Sequence, residues 1–163
     1  MANKIKQKLV PHLWYAKEAE EAARFYASIF PDSRVDRVTP LPSDSPSGPA
    51  GSVNMVEFTL FGQPLLAISA GPLDPFNHAI SLVVICDDQA ELDRYWNGLL
   101  AGGSAEQCGW LKDKFDVSWQ IVPATLADMM TDPDRARAKR VADAMLKMVK
   151  LDFAPLQAAY DRR

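Results

Sequence analysis

Two histidines, His12 and His78, each open an apolar run that leads into an acidic-to-aromatic stretch. An imidazole can ligate a metal or move a proton near neutral pH, and two of them at matching places could build one site from the halves of a duplicated chain. The first copy reads PHLWY then EEAARFYASIF, and the second reads NHAISLVVI then AELDRYWNGLL. The two stretches align without a gap at an offset of about seventy residues, setting Arg24, Phe25 and Tyr26 on Arg94, Tyr95 and Trp96. A period that long suggests a repeated module, and two modules facing each other would bring both histidines to one cavity.

Other groups could add chemistry. Glu57 alternates with Met55 and Thr59, so a concave sheet face could present it as a general base; an ordinary surface strand explains it equally well. Cys108 stands beside Gly109 and Trp110 and would become a nucleophile only where a nearby base lowers its pKa; a core thiol is the competing reading. Trp14, Trp110, Phe115 and Trp119 supply walls for a ligand cavity, or simple core packing. Lys112 and Asp113 fit either an ion pair at a cavity mouth or a solvated turn.

The elements that must hold these groups follow from periodicity. Lys8 to Tyr15 alternates as a strand, with His12 sharing a face with Trp14 and Val10. Ala19, Ala22, Ala23, Tyr26, Ile29 and Phe30 form a helical stripe that Pro31 ends. Ser33–Thr39, Val53–Phe61 and Pro64–Ala70 read as strands, the last two joined as a hairpin at Gly62 and Gln63. Between them, Pro40 to Ser52 is a Pro, Ser and Gly-rich loop, expected to be mobile or to serve as a flap. After the linker Gly71–Asn77 the order repeats: a strand His78–Ile85, a helix capped by Asp87 or Asp88 and ending at Leu100, then strands Ala105–Trp110 and Val117–Val122. Past Pro123 the repeat stops. Ala124–Met130, Pro133–Val149 and Ala154–Tyr160 read as helices.

Composition narrows the function classes. At 163 residues the chain suits one domain or two fused half-domains, and 48% hydrophobic with 24% charged residues allows a buried core. No apolar run reaches the roughly 18 residues of a membrane span, and a net charge of -3 gives no long-range attraction for nucleic acid. The N-terminus has early lysines but no apolar leader, so a cytoplasmic protein is expected. Cys86 and Cys108 lack the spacing of a disulfide framework or zinc knuckle and are read as reduced. Among eight glycines none sits in an early strand-to-helix turn, so no S-adenosylmethionine, nucleotide or flavin site of the doubly wound kind is expected.

PHLWY with AEEAARFY, FNHAISLVV, CGWLKDKF and VSWQIVP together resemble the PhnB-like branch of the vicinal oxygen chelate superfamily, which includes glyoxalases, bleomycin-resistance proteins and extradiol dioxygenases. Many members of this branch carry the label 3-demethylubiquinone-9 3-methyltransferase. The resemblance implies an α+β fold of two βαβββ modules, about residues 8–71 and 77–123, forming a cupped eight-stranded mixed sheet. A helical extension of about 124–163 completes a single glyoxalase-like domain, which is expected to form a homodimer. It also implies metal-ligand positions at His12, His78 and Gln120, with Ser69 near the fourth-strand position. Gln120 stands where metal-binding relatives often have glutamate, so the set joins two imidazoles to neutral oxygen unless Glu57 points inward. Asp116 replaces a usual glycine, and aspartate tolerates a left-handed turn better than most residues.

Two functions stay open. In one, a pocket of His12, His78, Gln120 and Glu57, with or without a divalent metal ion, does lyase, isomerase or oxygen chemistry on a small oxygenated substrate. In the other, the same cup sequesters an aromatic or hydrophobic small molecule without metal. Methyl transfer is not expected, whatever label the branch carries.

Overall fold

The computed structural model describes residues 7–162. The reading of the N-terminus as lacking a leader falls partly on residues 1–6, outside the described residues. The chain divides into two compact units, one up to Pro75 and one from Phe76. Among the described residues no helix is long and apolar enough to cross a membrane.

The first unit contains β1 (His12–Tyr15), α1 (Ala19–Ile29), β2 (Arg34–Pro40), β3 (Asn54–Leu60) and β4 (Gln63–Ser69). Its sheet runs in the order β1-β4-β3-β2, with β1 parallel to β4 and the other pairs antiparallel. One face is dry: Leu13, Tyr15, Val56, Phe58, Leu65 and Ala67 are buried, as are Ala19, Ala22, Ala23 and Tyr26 of α1. Small alanines let the helix approach closely, and the alternation along each strand assigns the next residues to the other face. Phe61 and Gly62 turn β3 into β4 with φ of 50° and 74°, the left-handed pair that a two-residue I′ hairpin requires. The hairpin therefore turns one residue earlier than its glycine suggests, and Phe61 packs its ring 4.8 Å from that of Phe30. The loop after β2 is tied by bonds from the Leu41 N–H to the Val53 carbonyl and from the Gly51 N–H to the Leu41 carbonyl.

The second unit contains β5 (Leu82–Cys86), α2 (Gln89–Leu100), β6 (Ser104–Ala105), β7 (Trp110–Lys112) and β8 (Ser118–Pro123). The same order recurs, β5-β8-β7-β6, with β5 parallel to β8. Val84, Cys86, Leu111, Trp119 and Ile121 share the dry side with Leu92, Tyr95, Trp96 and Leu99 of α2. Asp88 caps α2, accepting from the Glu91 N–H at 2.8 Å. The expected strand Ala105–Trp110 is instead two short strands, because Cys108 and Gly109 adopt φ of 60° and 83°, a backbone state that cannot stay in a ladder. Three helices follow: α3 (Leu126–Thr131), α4 (Arg135–Met145) and α5 (Phe153–Asp161). The fold is thus α+β, with two βαβββ modules, two four-stranded mixed sheets and C-terminal helices.

Candidate functional site

On the first unit's open face the register draws a row across four strands. His12 pairs with Leu66, Leu66 with Glu57, and Glu57 with Arg37. Trp14, opposite Ile68, and Met55, opposite Thr39, continue that face. His12 is exposed while Trp14, Leu66, Ile68 and Glu57 are half-buried, so the face is an apolar floor with polar groups at its two sides. At about 4.8 Å per strand, His12 and Glu57 stand about 10 Å apart at their backbones, a span that admits a small ring over Leu66. Trp14 is fixed by its indole N–H, which donates to the Gly71 carbonyl at 2.9 Å. Glu57 is held by the Arg37 guanidinium, whose Nε donates at 3.0 Å and whose Nη2 also bonds the carboxylate. A carboxylate so engaged is an oriented hydrogen-bond acceptor.

The second unit gathers a different set. His78 Nε2 lies 2.9 and 2.8 Å from the two Glu106 carboxylate oxygens, and its ring centroid is 6.1 Å from that of Trp110. Trp110 is in register with Gln120, and Gln120 with Val83. The Gln120 amide donates to Ser81 Oγ at 2.9 Å. Glu106 was not legible beforehand, since only the turn that breaks β6 from β7 brings it to the imidazole. Arg37 was equally hidden; its partner could be found only from the pairing of β2 with β3.

Several expected residues lie elsewhere. His78 is not on β5, which starts at Leu82; matching buried and open faces between modules sets His12 against Val83. The helical repeat suggested equivalence, but the turn before β5 places His78 outside the ladder. Ser69 is buried on the helix side, where its hydroxyl accepts from the Ala19 N–H at 3.0 Å. It satisfies one of the amides that a helix start leaves open, because Glu18 offers no side-chain cap. Trp119 also faces the helix, 2% exposed, and its indole donates to Asp113 at 2.8 Å. Asp113 is itself buried and accepts from the Phe115 and Val117 amides. The turn's aspartate therefore organises the loop from within, and Phe115 belongs to that loop, stacked under Lys114 at 4.8 Å. Cys108 lies in the left-handed turn before β7, its amide bonded to the Met148 carbonyl at 2.8 Å. Cys86 is fully buried on β5, and burial, then neighbouring Glu91, push its thiol up to about 12.

A glyoxalase-type metal wants about two imidazoles and one or two carboxylates. Within the first unit His12 shares its face with a Glu57 that Arg37 already holds. Within the second, His78 and Glu106 pair with each other, and Gln120, whose NH2 donates to Ser81, offers only a neutral amide oxygen. Two imidazoles joined only to the neutral amide oxygen of Gln120 are not the donor set such an ion wants; among the described residues no three of His, Cys, Asp and Glu gather as a metal-ligand group.

Residues 7–122 match the family model described as 3-demethylubiquinone-9 3-methyltransferase. The chain is 32% identical to a putative 3-demethylubiquinone-9 3-methyltransferase, PhnB protein, of Bacillus cereus, with a TM-score of 0.63 over 72% of this chain and 100% of that one. A Pseudomonas aeruginosa protein is 22% identical with a TM-score of 0.56, covering 72% and 98%. The fosfomycin resistance protein FosX of Listeria monocytogenes, solved with Mn(II) and sulfate, is 14% identical with a TM-score of 0.50, covering 71% and 90%. The last two likenesses are of fold alone. No curated protein matches the chain.

Proposed function

The chain belongs to the 3-demethylubiquinone-9 3-methyltransferase family, PhnB-like proteins of glyoxalase-like fold, and from that premise we propose that it binds a small oxygenated aromatic molecule without metal. The row His12–Leu66–Glu57–Arg37 on the open face of the first unit's sheet carries this reading. Leu66 and Ile68 give the ring an apolar floor and Trp14 a flat neighbour. His12 and the Arg37–Glu57 pair then supply hydrogen bonds to oxygens at opposite edges of that ring, the arrangement typical of sites with few polar groups on apolar ground. Methyl transfer finds no support, because β1 leads to α1 through Ala16, Lys17 and Glu18 rather than a glycine-rich turn.

Catechol, neutral at pH 7, is the probe of choice, titrated calorimetrically into the full chain. Loss of one hydrogen bond in His12→Ala is expected to weaken binding about fivefold, from about 1 kcal/mol. Equal affinity of both proteins would sink the proposal. Homodimerisation belongs to the same reading: β5 is an edge strand of its sheet and exposes Val83 at 53% and Ile85 at 66%. A monomer in sedimentation equilibrium would refute that part.

The imidazole–carboxylate pair of the second unit favours a second reading, as an enzyme. Glu106 holds His78 through Nε2, which leaves Nδ1 to accept a proton from a bound substrate while the carboxylate stabilises the imidazolium formed. Proton exchange of a substrate C–H that stops in His78→Gln would establish it; exchange unchanged in that variant would exclude it.

A further inference from the structure

The family match ends at residue 122, yet the helices beyond it are firmly built onto the second unit. Cys108 and Gly109 donate to the Met148 and Val149 carbonyls, and Gln89 of α2 accepts from the Phe153 N–H at 2.9 Å. Lys150 reaches Asp93 of α2 at 2.6 Å. Leu151 is fully buried. Such anchoring ties down the connection between α4 and α5, and between them lies an open groove of about 550 Å³, comparable in volume to small-molecule sites.

We infer that this α4–α5 groove is a second ligand site, which takes a small organic anion, a carboxylate carried on an apolar body. Ala144, Met148 and Ala158 form the apolar part of its lining, and Arg140, Lys147 and Arg162 the cationic part. The acidic side chain of the lining and the helix end beside it are already countered. Asp143, also in the lining, is held by Lys139 at 2.6 Å. The carbonyl end of α5 is engaged by Arg140, whose Nε donates to Ala159 at 3.2 Å and whose Nη2 donates to the Arg162 carbonyl. That contact turns aside the negative pole that would repel an anion. Among the described residues neither Lys147 nor Arg162 has an acidic partner. A cationic groove stands out in a chain whose net charge is -3, and it matches an anion at one end with an apolar body at the other.

The test uses three probes with one alkyl body, octanoate, octanol and octylammonium, titrated below aggregation into the full isotope-labelled chain. Octanoate is expected to move the amide signals of Ala144, Met148 and Ala158, while octanol and octylammonium leave them in place. Lys147→Glu with Arg162→Glu should weaken octanoate at least about tenfold, since two attractions are lost and repulsion gained. A Lys147→Gln, Arg162→Gln chain should lie between, and circular dichroism confirms that each variant folds. Arg140 is left intact because it holds the end of α5. His12→Ala should leave this binding unchanged, which separates the groove from the sheet-face site. The inference is overturned by equal shifts from octylammonium, by octanoate shifts that persist in the Glu variant, or by no shifts in the groove.

Discussion

Replacing Asp113 should destabilise the second unit rather than empty a pocket. Its carboxylate accepts from Trp119 Nε1 at 2.8 Å, from the Val117 N–H at 3.1 Å and from the Phe115 N–H at 2.8 Å. Trp119 and Val117 are 2% and 4% exposed, so Asp113→Ala strands two buried donors, at about 1–3 kcal/mol each. The half-buried Phe115 amide can turn to water and adds little. A loss of about 3 kcal/mol follows, a large share of the roughly 5–15 kcal/mol that holds a domain together. Asp113→Asn is the sharper variant: its oxygen still serves the turn amides, but its NH2 meets the indole N–H, donor against donor. Urea unfolding by circular dichroism should show Asp113→Asn costing about 1–3 kcal/mol alone and at least about 1 kcal/mol less in a Trp119→Phe background. Additive costs in that double-mutant cycle would show that the Asp113–Trp119 bond is not what the fold depends on there.

Ser69→Ala should cost about 1 kcal/mol of stability, through the lost acceptor for the Ala19 amide, and should leave catechol affinity as it is; reduced affinity would return Ser69 to the ligand face. Gly109 has φ of 83°, and a Cβ there would come within 2.9 Å of the Ile121 carbonyl oxygen and 3.0 Å of Leu151. Gly109→Ala is therefore expected to cost more than about 2 kcal/mol and to raise amide exchange in α4 and α5; a stability equal to the parent's would contradict it. The neutral Cys86 thiol is favoured by the fold up to about 12 against an ordinary 9.0. Between those values the unfolded chain ionises while the folded one does not, so this contribution to stability, complete below pH 9, should fall as pH rises. Cys86→Ala should flatten that fall in alkaline urea titrations. An unchanged alkaline slope would show that the thiol is not the cause.

The architecture was largely legible because it rests on periodicity. The stripe from Ala19 to Tyr26 and the alternation of Leu13, Tyr15, Leu65 and Ala67 each report which side is dry, and burial follows them residue by residue. Pleat parity also set His12 beside Trp14 on one face, while only the register of β1, β4 and β3 brings Glu57 to that face. What failed depended on turns. Apolar residues after His78 look like a continuous strand, yet β5 begins at Leu82, and no periodicity separates a run inside a ladder from one leading into it. Trp119 suits a cavity wall or core packing equally well in the sequence, since an indole fits either environment; its N–H partner, Asp113, appears only in three dimensions. Glu106 and Arg37 were missed for the same reason, as ion pairs across a bend or a strand pair leave no spacing in the sequence.

If the His12–Leu66–Glu57–Arg37 row receives a small oxygenated ring, the ring must sit over Leu66. Amide chemical-shift mapping of the isotope-labelled chain during catechol titration tests it most directly. Saturable shifts are expected, centred on His12, Trp14, Leu66 and Glu57 and reduced in His12→Ala. Shifts confined to the helices after residue 123, or none on that sheet face, would contradict it.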